Sequence, residues 1–170
     1  MPKVGIVMGS DSDLPLMSKT ADILDKFGVE YEMAIISAHR APDELYDWAK
    51  GARDRGIKVM IAGAGMAAHL PGVCSALFPL PVIGVPMYND PLSGMDALGS
   101  VVQMPPGVPV ATVGLNATVN AGLLAVKMLA ISDEELEKKL LDYKENMRQT
   151  IIAKDKHLKT VGHKNYKWEG

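Results

Sequence analysis

Residues 4–13 read Val4-Gly5-Ile6-Val7-Met8-Gly9-Ser10-Asp11-Ser12-Asp13. Five residues without polar alternation stop at a glycine, and four short polar residues follow. An uninterrupted apolar run of this kind fits a strand buried on both faces, as in a parallel sheet. Beyond it, Leu14, Met17, Ala21, Leu24 and Phe27 recur at helical spacing, and Gly28 closes the segment. Strand, polar loop and helix in that order make the first half of a βαβ unit.

The pattern repeats along the chain. A second run, Tyr31 to Ile36, ends in Ser37-Ala38-His39-Arg40, and Pro42, Asp43 and Glu44 then supply a helix start. A third run, Ile57 to Ala62, ends in Gly63-Ala64-Gly65. A fourth, Pro81 to Val85, ends in Pro86, and a fifth, Pro109 to Leu115, ends in Asn116. Helical segments separate the runs at about 20 to 25 residues, as right-handed βαβ units require. The expectation is an α/β protein with a five-stranded parallel sheet, most simply wound 2-1-3-4-5. The last segment, Asp133 to about Leu158, reads as one long helix with a stripe of Leu136, Leu140, Tyr143, Met147 and Ile151. Such a helix would run roughly 39 Å, against a radius of gyration of about 15–16 Å for a domain of this size. It overhangs its own domain and calls for a neighbouring subunit. Residues 1–158 are read as one domain that includes this helix, and 159–170 as a tail.

Composition narrows the class. The 170 residues carry 18 Lys and Arg against 20 Asp and Glu, a formal net charge of −2. That balance offers no support to a nucleic-acid or membrane-surface binder, which needs a basic excess. A lone cysteine, Cys74, rules out an internal disulfide or a multi-cysteine metal cluster and fits a reducing cytosol. It lies among apolar residues and reads as core. No stretch approaches the roughly 18 apolar residues of a spanning helix, and the first ten residues do not read as a signal peptide. The protein is expected to be cytoplasmic. Sixteen glycines and 11 prolines against nine aromatics suggest tight turns around a core of small aliphatic residues.

In a sheet wound this way, ligands bind beyond the carboxyl ends of the strands where the winding reverses. Three loops converge there: Gly9–Asp13, Ser37–Pro42 and Gly63–Pro71. In the first, free backbone N–H groups at a helix start favour an anion, Ser10 and Ser12 add hydroxyls, and Asp13 suits sugar hydroxyls. The same residues serve equally as a helix cap. In the second, Arg40 can grip a phosphate with two prongs, and His39 is the residue type that titrates near neutrality. The plainer alternative is a helix-start histidine beside a surface arginine. In the third, Gly63, Ala64, Gly65 and Ala68 are small enough for a ligand to approach the backbone, with His69 and Leu70 following. This loop has neither the GxGxxG nor the GxxxxGK[ST] spacing. His39 and His69 lack an obvious third partner for a metal. Asn89-Asp90-Pro91 and Pro105-Pro106-Gly107 read as turns, and Gln103-Met104-Pro105 as a possible edge of the crevice.

Four motifs now stand in order: Gly9-Ser10-Asp11-Ser12-Asp13, Ser37-Ala38-His39-Arg40, Gly63-Ala64-Gly65 with Ala68-His69-Leu70-Pro71-Gly72, and Val102-Gln103-Met104-Pro105. Together they make the chain resemble the PurE family of purine biosynthesis, class I, the N5-carboxyaminoimidazole ribonucleotide mutases, from Lys3 to about Ile151. The resemblance implies a three-layer flavodoxin-like fold, a homo-octamer, no metal and no organic cofactor. It implies an isomerisation that moves a carboxylate from the exocyclic nitrogen of an aminoimidazole ribonucleotide to ring carbon C4. Ser10, Ser37 and Arg40 match the phosphate-binding positions and Asp13 the ribose position. His39 matches the catalytic histidine, and Gly63–Leu70 the segment around the migrating carboxylate, with His69 nearby.

Two positions depart from the family's usual pattern. Met66 stands where glycine is usual, and would be strained if that position needs a positive φ. Gly99 replaces a commonly larger apolar residue. The nearest rival is the class II enzyme of the same family, which carboxylates aminoimidazole ribonucleotide directly with CO2; the Gly63–Pro71 loop looks like class I. A signalling receiver domain would need an aspartate ending the third strand and a lysine ending the fifth, where this chain has Gly63-Ala64-Gly65 and Leu115-Asn116. A flavin-binding flavodoxin would want aromatic residues beside the ring system.

Overall fold

The computed structural model describes residues 1, 3–90 and 92–168. The chain divides into two compact units, Met1–Leu129 and Ala130–Gly170. The first holds a five-stranded parallel sheet in the order β2-β1-β3-β4-β5. The strands are β1 (Val4–Met8), β2 (Tyr31–Ile35), β3 (Val59–Gly65), β4 (Val82–Met87) and β5 (Ala111–Thr112). The helices are α1 (Leu14–Phe27), α2 (Pro42–Gly51), α3 (Leu70–Leu77), α4 (Met95–Val102), α5 (Thr118–Ala130) and α6 (Glu134–Val161).

The winding and order match the sequence expectation, while the burial of the strands differs across the sheet. β1 and β4 are buried throughout, and β3 up to its last residue. β2 is half-buried, and Ile35 is exposed, because it forms an edge. The fourth run continues through Pro86 to Met87. The fifth shrinks to two residues: Pro109 has no N–H to give to a ladder. One further bond, Val113 N–H to the Gly84 carbonyl at 3.1 Å, extends the pairing.

Alternate residues of the central strands face two helix layers. On one face Val7, Met60, Ala62, Ala64 and Val82 pack with Leu45 and Ala49 of α2, Cys74 of α3, and Ala97 and Val101 of α4. On the other, α1 turns Met17, Ala21, Leu24 and Phe27 inward, and Gly28 ends it in the left-handed region at φ 71°. Buried Thr20 of α1 donates its hydroxyl to the Thr118 carbonyl at the start of α5, at 2.9 Å. A Cβ on Gly122 would stand 3.0 Å from Ile23, so that glycine sets the α1–α5 spacing.

The register positions everything that follows. Met8 of β1 is level with Ile35 of β2 and with Gly63 of β3. Two more bonds carry the ladder past the strand ends: Ile36 N–H to Met8 O at 2.9 Å, and Gly9 N–H to Gly63 O at 3.3 Å. The loops after β1 and β2 therefore leave the sheet at one level, and β3, still paired with β4, runs two residues further to Gly65.

The second unit is mainly α6, 28 residues long and capped by Asp133, whose side chain accepts from Leu136 N–H at 3.2 Å. Its length is about 42 Å. It runs three residues past the predicted Leu158 and closes on Gly162. Tyr166 then folds back, its N–H donating to the Gly162 carbonyl at 3.1 Å and its ring 5.5 Å from that of His157. Leu141, Met147 and Ile151 stand exposed along the helix. Among the described residues no helix is long and apolar enough to cross a membrane.

Candidate active site

At the carboxyl ends of β1, β2 and β3 lies a cavity of about 530 Å³, within the size range of small-molecule sites. Ser10, Ser12 and Asp13 line it from the first loop, Ser37, His39 and Arg40 from the second, and Ala64, Gly65, His69 and Leu70 from the third. Two residues expected there do not line it. A Cβ on Gly63 would approach Met17 Sδ to 2.7 Å, so Gly63 serves the packing of α1 on the sheet. Ala68 is buried and borders a neighbouring cavity instead.

The first loop makes a single 3₁₀ turn over Asp11–Asp13. Ser10 caps it, its Oγ accepting from Ser12 N–H at 3.3 Å and donating to Asp11 Oδ1 at 3.2 Å. The cap and the cavity thus use the same serine. Asp13 stands half-buried where α1 begins, without a capping bond from its side chain. Burial raises its carboxyl above the ordinary value of 3.8, because the charged form loses water.

The second loop closes as a turn, with Ala41 N–H donating to Ser37 O at 2.9 Å. Arg40 reaches back across it. Its Nε donates to Ser37 Oγ at 3.3 Å and its Nη2 to the Gly9 carbonyl at 3.1 Å. These bonds use two of the five guanidinium N–H groups and fix the side chain across two loops. His39 points elsewhere. Its ring stacks on that of His69, with centroids 5.2 Å apart and planes 25° from parallel. Two histidines from different loops therefore share one wall. Among the described residues, no group of three His, Cys, Asp or Glu is placed to hold a metal ion.

The third loop contains the strained residue. Met66 has φ 56°, the left-handed region that costs an L residue roughly 1–2 kcal/mol. It lines the cavity and is 60% exposed. Gly99, the other departure, has open space: a Cβ there meets nothing within 4 Å. Cys74 is fully buried and its thiol is pushed up to about 12 by burial, which leaves it an inert core residue.

One lining residue was read from sequence only as part of a turn. Asn89 follows β4 and enters the cavity because Gly65 has no side chain; a Cβ on Gly65 would lie 1.9 Å from Asn89 Nδ2. The available signal was its place just past a strand end, as in the three loops identified. A second cavity of about 480 Å³ shares His39, Ala67 and His69 with the first. Met104 of the fourth motif borders this one, beside Gly72, Val73 and Val108.

With that geometry in place, residues 3–150 match the AIR carboxylase family. The chain belongs to the AIR carboxylase family. Among its members, the N5-carboxyaminoimidazole ribonucleotide mutase of Thermotoga maritima is 53% identical over 98% of this chain and 97% of its own length. The Bacillus subtilis protein of that name is 54% identical over 92% of this chain and 98% of its own. The crystal structure of Treponema denticola PurE superposes with a TM-score of 0.86 at 33% identity, covering 94% of this chain and 99% of that one. The family's shared fold thus includes the five-stranded sheet whose strand ends frame the cavity.

The place of Asp13 in the cavity wall carries a stability cost. Its folded pKa is raised, so the folded state binds the proton more readily than the unfolded chain. Stability is then lost as pH rises from the ordinary carboxylate range through the raised value. Asp13→Asn is expected to unfold at a higher temperature than wild type near neutrality, and at the same temperature well below pH 3.8. Thermal unfolding across that range checks this; a gain independent of pH would exclude desolvation as the cause.

Proposed function

We propose that the chain catalyses the conversion of N5-carboxyaminoimidazole ribonucleotide to 4-carboxyaminoimidazole ribonucleotide. The observation that carries this is the second loop: adjacent residues set an arginine and an imidazole at different walls of one cavity. The full-length relatives that bear the mutase name add to it.

In this reading Ser10, Ser37 and Arg40 hold the phosphate, assisted by the free N–H groups that open the first helical turn. Ser12 lines the same end. Asp13 accepts from the ribose hydroxyls. The segment Gly63, Ala64, Gly65, Ala68, His69 and Leu70 surrounds the migrating carboxylate, with Gly63 and Ala68 acting through the backbone's shape. Neither a metal nor an organic cofactor takes part.

The chemistry needs little from the protein. The bond between the exocyclic nitrogen and the carboxylate breaks, and its electron pair stays with nitrogen, which takes up a proton. The product is carbon dioxide beside an electron-rich ring. C4 attacks that carbon dioxide and then gives up its own proton, restoring the aromatic ring. One proton is delivered and one removed, so His39 ends each turnover as it began. The phosphate anchor keeps C4 within reach of the gas, which replaces a two-body encounter with an intramolecular step.

His39→Asn is expected to bind the nucleotide normally and to lose about 10²- to 10⁴-fold in kcat, the usual share of acid–base catalysis. Arg40→Ala is expected to do the reverse, weakening binding about 10- to 100-fold, as loss of a charged hydrogen bond implies. Steady-state kinetics with direct nucleotide titration tests both. The rival class II activity is tested by substrate choice. Product from unmodified aminoimidazole ribonucleotide and bicarbonate alone, with none from the carboxyamino substrate, would assign that activity instead.

The working particle is a homo-octamer of catalytic domains, residues 1–158, in the cytoplasm. The exposed Leu141, Met147 and Ile151 on α6 support assembly, since a second copy would remove them from water. Light scattering is expected to give the octamer's mass; a monomer's mass would remove this part of the reading.

A further inference from the structure

Asn89 follows the end of β4 and lines the cavity beside the third loop. β3 and β4 are paired to their last residues, with Gly65 level with Met87. The space that a Cβ on Gly65 would fill holds Asn89 Nδ2. The backbone around Asn89 is fixed from both sides. Tyr88 N–H donates to Asn116 Oδ1 at 2.8 Å, and Asn116 N–H to the Pro86 carbonyl at 3.0 Å. The Asn89 carbonyl accepts from Gly94 N–H at 3.2 Å. Asn116 holds its post at φ 54°, a conformation that asparagine tolerates. These bonds tie down the main chain only. Among the described residues, the side-chain amide of half-buried Asn89 has no hydrogen-bond partner. A rigid loop thus presents a free amide to the cavity, which is how a ligand contact is held in place.

We infer that Asn89 is a further substrate-binding residue, whose amide N–H donates to an oxygen of the transferred carboxylate. The inference rests on the mutase reading and deepens it at the third-loop end of the site. Arg40 is engaged at the other end, tied to the first loop through the Gly9 carbonyl. Around Asn89 the wall is Ala64, Gly65, Met66 and Ala67, none of which carries a charge. A neutral donor suits the reaction. The carboxylate gives up its negative charge when it leaves as carbon dioxide. A cation against it would therefore stabilise the starting state over the transition state and slow the release. An amide orients the same oxygens with a weaker hold. It can take up the carboxylate again once that group forms on C4.

The test is direct titration with two nucleotides: 4-carboxyaminoimidazole ribonucleotide, and aminoimidazole ribonucleotide, which lacks the carboxylate. Wild type is expected to bind both. Asn89→Ala is expected to bind the carboxylated nucleotide about 10- to 100-fold more weakly, as loss of a hydrogen bond to a charged group implies. Its affinity for aminoimidazole ribonucleotide should be unchanged. Asn89→Asp keeps the side chain's shape but sets one carboxylate against another, so it is expected to widen the difference between the two nucleotides. Equal weakening of both nucleotides in Asn89→Ala overturns the inference, because the contact would not be with the carboxylate. So does unchanged affinity for both, and so does an Asn89→Asp that binds the carboxylated nucleotide as tightly as wild type. A wild type that binds both nucleotides but does not convert the carboxyamino substrate overturns the mutase reading, and the contrast between the two nucleotides still decides what Asn89 holds. A wild type that binds neither overturns both.

Discussion

The site depends on one constraint, the shared register of three hydrogen-bonded strands. β1 is paired on both sides, so Met8 stands opposite Ile35 and Gly63 at once. A slip of one residue on either side would reverse the faces of a whole strand. Because β1, β3 and β4 are buried on both faces, such a slip would exchange the residues packed against the two helix layers. Ladder bonds from Ile36 and Gly9 carry the pairing one step beyond the strands. Arg40 then bonds to the Gly9 carbonyl, so the second loop is tied to the first just where the sheet stops.

Close packing of helices on the sheet is what holds that register, and it explains the small residues. Gly63 admits Met17, Gly122 admits α1 against α5, and Gly84 lies where a Cβ would stand 2.4 Å from Val101 Cγ1. A core of small aliphatic residues and few aromatics is the composition such close approaches need. Gly65 applies the same device at the site. By having no side chain it lets a strand-end asparagine into the cavity, where any larger residue would exclude it.

Legibility from sequence followed this division. The uninterrupted run Val4–Met8 and its repeats were enough for the parallel sheet, because burial on both faces leaves no alternation to misread. The three loops were legible because the crevice of an open parallel sheet lies beyond the strand ends where the winding reverses, and they line one cavity there. What was not legible depends on long-range packing. β2 became half-buried only because it forms the edge. β5 was cut short where Pro109 and its neighbours could not continue the ladder. Asn89 reads locally as a turn, and only the opening at Gly65 makes it a lining residue. The alternatives for Ser10, cap or ligand, were not exclusive: its hydroxyl caps the 3₁₀ turn while facing the cavity. Sequence exposed the question of strain at Met66, and only the backbone dihedral answered it.

The near-neutral charge of the chain leaves local geometry, rather than a net field, to shape the cavity. The second loop shows how: its turn, closed by Ala41 N–H on Ser37 O, sets neighbouring side chains apart. Arg40 is drawn toward the first loop by Gly9 and Ser37, while His39 is held by contact with His69 of the third. Two adjacent residues thus face different walls of one cavity without competing for the same space. Lengthening the turn by a residue would preserve every side chain and still change the separation of the guanidinium from the imidazole, so the spacing of this loop matters as much as its composition.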